Sequence, residues 1–202
     1  MRGERLFRPW FDFVDALPAM RVFVLTELAS PRRHWHGLVH HALMLRAVTR
    51  SGHSPEHARR LVLATLFHDI VYDATRTDNE EASAGIAREW LVTDEADTVA
   101  ALILATKRHD LDTDPITRTL LEADLAVLWT SSPRLYSFYA RGIRAEYGHV
   151  PDAAYRAGRA AVLEQLRRQL QPWIDAGRVV NLKRNLDGEI ARLAVGSYDL
   201  GR

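Results

Sequence analysis

The chain has no cysteine among its 202 residues. Disulfides and thiolate metal sites are therefore excluded, and any metal must be held by His, Asp or Glu. It also lacks an excess of charge. Lys and Arg number 27 against 26 Asp and Glu, a formal +1, so no global field draws it to nucleic acid or an anionic membrane. The basic pairs Arg32-Arg33, Arg59-Arg60 and Arg167-Arg168 form no stripe with interleaved aromatics, so a nucleic-acid partner is not expected. No run approaches 18 apolar residues, which excludes a membrane-spanning helix. Met1 to Met20 carries charges with Trp10, Phe11 and Phe13 but no apolar stretch of signal-peptide length, and a cytoplasmic protein is the expectation. Glycine-rich phosphate loops, alternating strand patterns, Asn-Gly hairpin turns, internal repeats and low-complexity tracts are missing too.

What is present is helical patterning almost throughout. At 47% hydrophobic and 26% charged, the composition is that of an ordinary globular chain long enough to bury a full core. The expected fold is all-α, a single domain of about nine helices. Ala19 to Ala29 reads as the first, and His34 to Ser51, stopping at Gly52, as the second. Ser54-Pro55-Glu56 starts the third, with serine as N-cap and proline in the first turn. Asp78 with Glu81 reads as a capping box for a fourth, to about Leu91. Thr93-Asp94-Glu95 starts a fifth, through Thr106. A charged loop, Lys107 to Asp112, precedes a sixth from Asp114-Pro115 to about Trp129. Ser132-Pro133 opens a seventh ending near Gly148. Pro151 to Leu170 makes an eighth, and Val179 to Val195 a ninth.

Polar residues interrupt the apolar helix faces at three places. Leu61 to Phe67 is a continuous buried-helix run that ends in His68-Asp69 and then stays apolar for two residues. Burying a carboxylate beside an imidazole is costly unless a partner compensates, and a divalent cation uses both side chains at once. A solvent-facing pair at a helix end is the plainer alternative. On the second helix His36 and His40 stand one turn apart with Leu43 and Ala47 on the same face, so both should point inward, whereas His34 and His41 project away. They could equally be satisfied core histidines. On the sixth helix Asp124 sits among Leu120, Leu121, Val127 and Leu128, where it needs a strong partner, either a cation or a buried Arg or Tyr. Together His40, His68, Asp69 and Asp124 make a four-ligand set for one divalent ion.

That order, His, then His-Asp, then Asp on successive helices, resembles the HD-domain superfamily of metal-dependent phosphohydrolases. The resemblance is closer to an uncharacterised branch labelled predicted HD-superfamily hydrolases. It is carried by Arg33-His34-Trp35-His36 with His40, by Phe67-His68-Asp69-Ile-Val-Tyr72-Asp73, and by Asp78-Asn79-Glu80-Glu81 with Ser83-Ala84. Ala105-Thr106-Lys107 with His109, Tyr155 with Gly158-Arg159, and Asn185-Leu186 with Glu189 fit as well. The HD-like core covers about 32–128, with a helical extension over 132–202. The helices of that extension either cover the core or supply the surface of a homodimer.

The resemblance implies hydrolysis of a small phosphorylated substrate, such as a nucleotide, with His40, His68, Asp69 and Asp124 as metal ligands. Mn, Fe, Co, Ni or Zn suits such a set. Asp69 would orient a water as well as bind the ion. Lys107 and His109 would stabilise phosphoryl charge, with Arg33 behind them. His36 would be an extra ligand or a substrate contact, and Tyr72 a substrate contact. Many members carry a catalytic glutamate three residues after the aspartate of the pair. Here Tyr72 takes that position, and Glu80 is the candidate replacement, just ahead of Glu81. Two alternatives stand beside this reading: a metal-bearing ligand-binding or regulatory domain without turnover, and oxygen-dependent cleavage at a di-iron centre.

Overall fold

A computed structural model describes residues 2–91 and 95–196; the expected helix start at Thr93-Asp94 lies outside them. Among the described residues all regular structure is helical: eleven α-helices and one 3-10 turn, with no strand. They are α1 (Arg2–Phe13), α2 (Pro18–Leu28), α3 (Leu38–Val48), α4 (Pro55–Phe67), α5 (Asn79–Trp90), α6 (Glu95–Ala105), α7 (Pro115–Leu125), the 3-10 turn (Ala126–Trp129), α8 (Pro133–Glu146), α9 (Asp152–Gln169), α10 (Gln171–Asp175) and α11 (Leu182–Ala194). None is long and apolar enough to cross a membrane. The chain divides into two compact units, 1–124 and 125–202.

Several starts form as their residues dictate. Ser54 Oγ accepts the His57 N–H at 3.3 Å ahead of α4, and Ser132 Oγ accepts the Leu135 N–H at 3.2 Å ahead of α8. Asp114 Oδ1 takes the N–H groups of Ile116 and Thr117 at 2.9 and 3.0 Å, capping α7. The Asp78–Glu81 capping box does not form. Asp78 is drawn into a two-pronged pair with Arg76, and Glu81 pairs with Lys107. Two helices go beyond the nine expected. In α1, Pro9 masks a stripe in which Phe7 and Phe11 are buried one turn apart. The other, α10, is a five-residue turn too short to show a period.

In the first unit α4 is the central helix. Every residue from Leu61 to Phe67 is buried, because α3, α5 and α6 all pack on it. Phe7, Phe11, Val24, Leu28, Met44, Leu45, Val99 and Ile103 complete that core. Fully burying each such side chain contributes about 1.5–3 kcal/mol. Gly37, at the N-cap of α3, allows the tightest approach, since a Cβ there would stand 2.8 Å from the Leu28 carbonyl oxygen.

In the second unit α11 packs on α9 and on the 3-10 turn. Its interior holds a satisfied polar network rather than only apolar side chains. Arg159 Nε donates to Glu189 Oε1 at 2.8 Å, Tyr136 donates to Glu189 Oε2 at 2.6 Å, and Arg159 Nη2 donates to the Tyr139 hydroxyl at 2.8 Å. Asn185 Nδ2 donates to the carbonyls of Leu128 and Thr130, closing the end of the 3-10 turn.

Candidate metal centre

His68 is the C-cap of α4, and its amide still bonds to the Ala64 carbonyl at 2.8 Å. The run of apolar residues that buries α4 therefore buries the imidazole as well, to 1% exposure. Its Nδ1 lies 3.0 Å from the Thr65 carbonyl oxygen. A carbonyl only accepts, so Nδ1 carries the hydrogen and Nε2 is left to face the cluster. His40, 2% exposed on α3, brings its own Nε2 to 3.2 Å from that of His68.

Two carboxylates close on this pair. Asp69 Oδ2 is 3.1 Å from His68 Nε2 and 3.9 Å from His40 Nε2. Asp124 Oδ1, from the last turn of α7, mirrors it at 3.1 Å from His40 and 3.9 Å from His68. Donors held about 2.1 Å from one cation stand roughly 3.0–3.4 Å apart in adjacent positions, a spacing that His40 makes with His68 at 3.2 Å and with Asp124 at 3.1 Å. One ligand atom each from His40, His68 and Asp124 lies within 4.8 Å of the other two, and these three residues could hold a metal ion; Asp69, expected as a fourth ligand, is not in that group.

The electrostatics are those of a cation site. Burial opposes charge on His68, but the Asp69 carboxylate outweighs it and raises the imidazole to about 9. Burial likewise works against the Asp69 carboxylate, and the imidazoles around it, His68 foremost, prevail and hold it well below the usual range. Asp124 is lowered too: burial raises it, and hydrogen bonds from His109 and His40 overcome that. His40 goes down because burial exceeds the pull of Asp124. Two half-buried anions thus share positive charge that, without a metal, must come from a proton.

The surrounding residues act mainly on the backbone. Arg33 donates to the carbonyl of Asp69, to that of Ile70 at 2.7 Å and to that of His36 at 3.0 Å. It therefore ties the segment before α3 to the turn after α4, satisfying carbonyls that helix ends leave open. Ser83 Oγ accepts the Val71 N–H at 3.1 Å and donates to the Val71 carbonyl at 3.2 Å. Asn79 brackets Asp73 in the same way. One face of α5 thus fixes the turn that follows the His-Asp pair.

Of the other expected site residues, His109 joins the cluster. Its Nε2 is 2.8 Å from Asp124 Oδ2, which leaves Oδ1 toward His40. It does so from a left-handed backbone, φ 51°, which is uncommon for a residue with a side chain and is found mostly where surroundings enforce it. His36 precedes α3 rather than lying on it. It is half-buried, stacks on Tyr72 with 4.1 Å between ring centres, and lies 5.7 Å from the His40 ring. Lys107 is not brought to the cluster. Its amine bonds to Glu81 at 2.5 Å and to the Thr77 carbonyl at 2.9 Å, with Glu80 at 4.0 Å.

Three expectations on α3 are corrected. His41 is fully buried rather than projecting away, and Leu43 and Ala47 are exposed rather than inward. With the helix starting at Leu38, its packed stripe is His40, His41, Met44, Leu45 and Val48. Among the described residues the partners of Asp124 are imidazoles, not the buried Arg or Tyr that was the alternative. The role of His41 was readable from Leu45 and Val48 four and seven residues on, the spacing of a shared face. Its Nδ1 pairs with the Gly37 carbonyl at 3.0 Å, its Nε2 finds no partner among the described residues, and burial keeps it neutral. Trp35, at 5.2 Å between ring centres, packs on His40.

Compared with family models, with curated proteins and with solved structures, the chain has no match.

Proposed function

We propose that this protein is a metal-dependent phosphohydrolase of the HD-domain type, acting on a small phosphate ester. The observation that carries the proposal is the convergence of His40 on α3, His68 and Asp69 at the end of α4 and Asp124 on α7, with the two imidazole Nε2 atoms 3.2 Å apart and 3.1–3.9 Å from the carboxylates. The order of these residues in the sequence resembles that family, and the geometry of His40, His68 and Asp124 suits one divalent ion, so two independent arguments meet. When bound, a divalent cation polarises a phosphoryl oxygen and lowers the pKa of water.

The chain's own residues hold and orient. Thr65 fixes the His68 tautomer, and His109 fixes the Asp124 carboxylate. Arg33 holds the Asp69 backbone, so that Oδ2 keeps its place beside both imidazoles. Asp69, ionised at every ordinary pH, is suited to orient a water rather than to store its proton. The Arg33 guanidinium serves backbone carbonyls and the Lys107 amine serves Glu81. His36, beside His40 and stacked on Tyr72, is suited to steady phosphoryl oxygens.

A second reading, a metal-bearing binding domain without turnover, draws support from Tyr72. It stands where a catalytic glutamate is common in the family, and it stacks on His36. Phosphate release separates the two. Protein loaded with Mn or Co, given a panel of nucleotides and sugar phosphates, should release phosphate at a rate that vanishes in Asp69→Ala. Ligand-dependent stabilisation with no release from any substrate favours the binding domain.

A further inference from the structure

Charge in this chain balances only in total. Residues 125–202 hold twelve Lys and Arg against seven Asp and Glu, so the second compact unit is cationic. Such an excess favours anionic partners.

Within that unit a groove of about 360 Å³ runs between α8 and α11. Pro133, Tyr136 and Ser137 line one side, and Arg184, Asn185, Gly188 and Arg192 the other. No carboxylate lines it. Of the two acids flanking Gly188, Glu189 is buried and committed to Arg159 and Tyr136, and Asp187 pairs with Arg167 at 3.4 Å. Arg184 is steadied by Asn185 Oδ1 at 3.2 Å and the Thr130 carbonyl at 3.4 Å. Arg192 is different. Its side chain lies back over Gly188, with Nη1 3.6 Å from where a Cβ would be, and its buried Nε has no acceptor among the described residues. A buried N–H without an acceptor is costly, and such groups in folded proteins call for an unseen partner.

We propose that the α8–α11 groove binds the phosphate group of a small phosphorylated ligand, gripped chiefly by Arg192 and secondarily by Arg184. A guanidinium offers a planar fork of donors that matches a phosphate edge, and two of them with the Ser137 hydroxyl suit its several oxygens and double charge. The Pro133 and Tyr136 surfaces give the rest of the ligand an apolar floor. The groove belongs to a different unit from the His/Asp cluster, so the proposal does not rest on the phosphohydrolase reading.

The test is a calorimetric titration of metal-stripped protein with inorganic phosphate, and separately with acetate, at constant ionic strength. Saturable phosphate binding is expected, stronger than acetate. Arg192→Gln should weaken it at least about tenfold and Arg184→Gln less, while Asp69→Ala should leave it within about twofold. Arg192→Lys, which keeps the charge and loses the fork, should fall between parent and Arg192→Gln, and it decides the matter if the Gln variant does not fold. No saturable binding, or equal binding by the parent and both Arg192 variants, overturns the proposal. Acetate binding as tightly as phosphate overturns its assignment to phosphate.

Discussion

His109 reaches Asp124 with a 2.8 Å hydrogen bond from Nε2, and it does so from a left-handed backbone conformation, φ 51°. The loop after α6 therefore sets the aim of a carboxylate on α7. Replacing His109 with Ala should weaken metal binding about 10–100-fold, the usual effect of losing a residue that orients a ligand. His109→Gln, which restores a donor, should recover part of it. Competitive titration against a fluorescent chelator reads both, and equal affinity in all three proteins would remove His109 from the site.

The pH dependence follows from His68, whose pKa rises on folding from about 6.5 to about 9. Its contribution to the metal-free fold is complete below the unfolded value and is lost as pH rises through 9. A cation displaces that proton, so metal affinity should climb by up to about tenfold per pH unit until pH 9 and then level off. Thermal melts of metal-free protein should accordingly shift downward between pH 7 and 9.5, and metal-loaded protein should not follow. Titrations in buffers of different ionisation enthalpy should report a proton released at pH 7. Binding that releases none would contradict a protonated His68.

Arg33 donates to main-chain oxygens of the site segments and so joins α3's lead-in to the turn that carries Asp69. Arg33→Lys keeps the charge but cannot fork across three carbonyls. We expect it to lower the stability by about 1–3 kcal/mol for carbonyls left open, and to weaken metal binding together with it. Denaturant unfolding with and without metal separates the two effects. A variant as stable as the parent would mean that water replaces the guanidinium there.

The fold class and the four clustered residues were legible because each depends on local patterning. The α4 run, the Ser54-Pro55 start and the misfit of Asp124 among leucines are features of short stretches. What was not legible depends on tertiary choice. Lys107 carries its amine on a flexible four-carbon stem, and only packing decides that it bonds to Glu81 rather than facing the imidazoles. The capping box at Asp78 lost to Arg76, a competition that spacing alone does not weigh. The orientation of α3 depended on a start four residues later than its sequence suggests, a shift set by Gly37 closing on Leu28.

In the second unit the Arg159–Glu189 pair is buried and fully bonded. Removing one partner strands the other charge, which typically costs about 3–5 kcal/mol. Glu189→Ala should therefore destabilise strongly in urea, while the metal affinity of folded protein stays as in the parent. An effect below about 1 kcal/mol would show that Arg159 reaches water when its partner is lost.

Whether the His/Asp cluster holds one divalent cation is decided by metal analysis after reconstitution with Mn or Co and removal of free ion, on the parent beside His68→Ala and Asp124→Ala. About one equivalent is expected in the parent and close to none in either variant. A parent that stays empty, or variants that retain as much metal as the parent, would contradict a shared cation there.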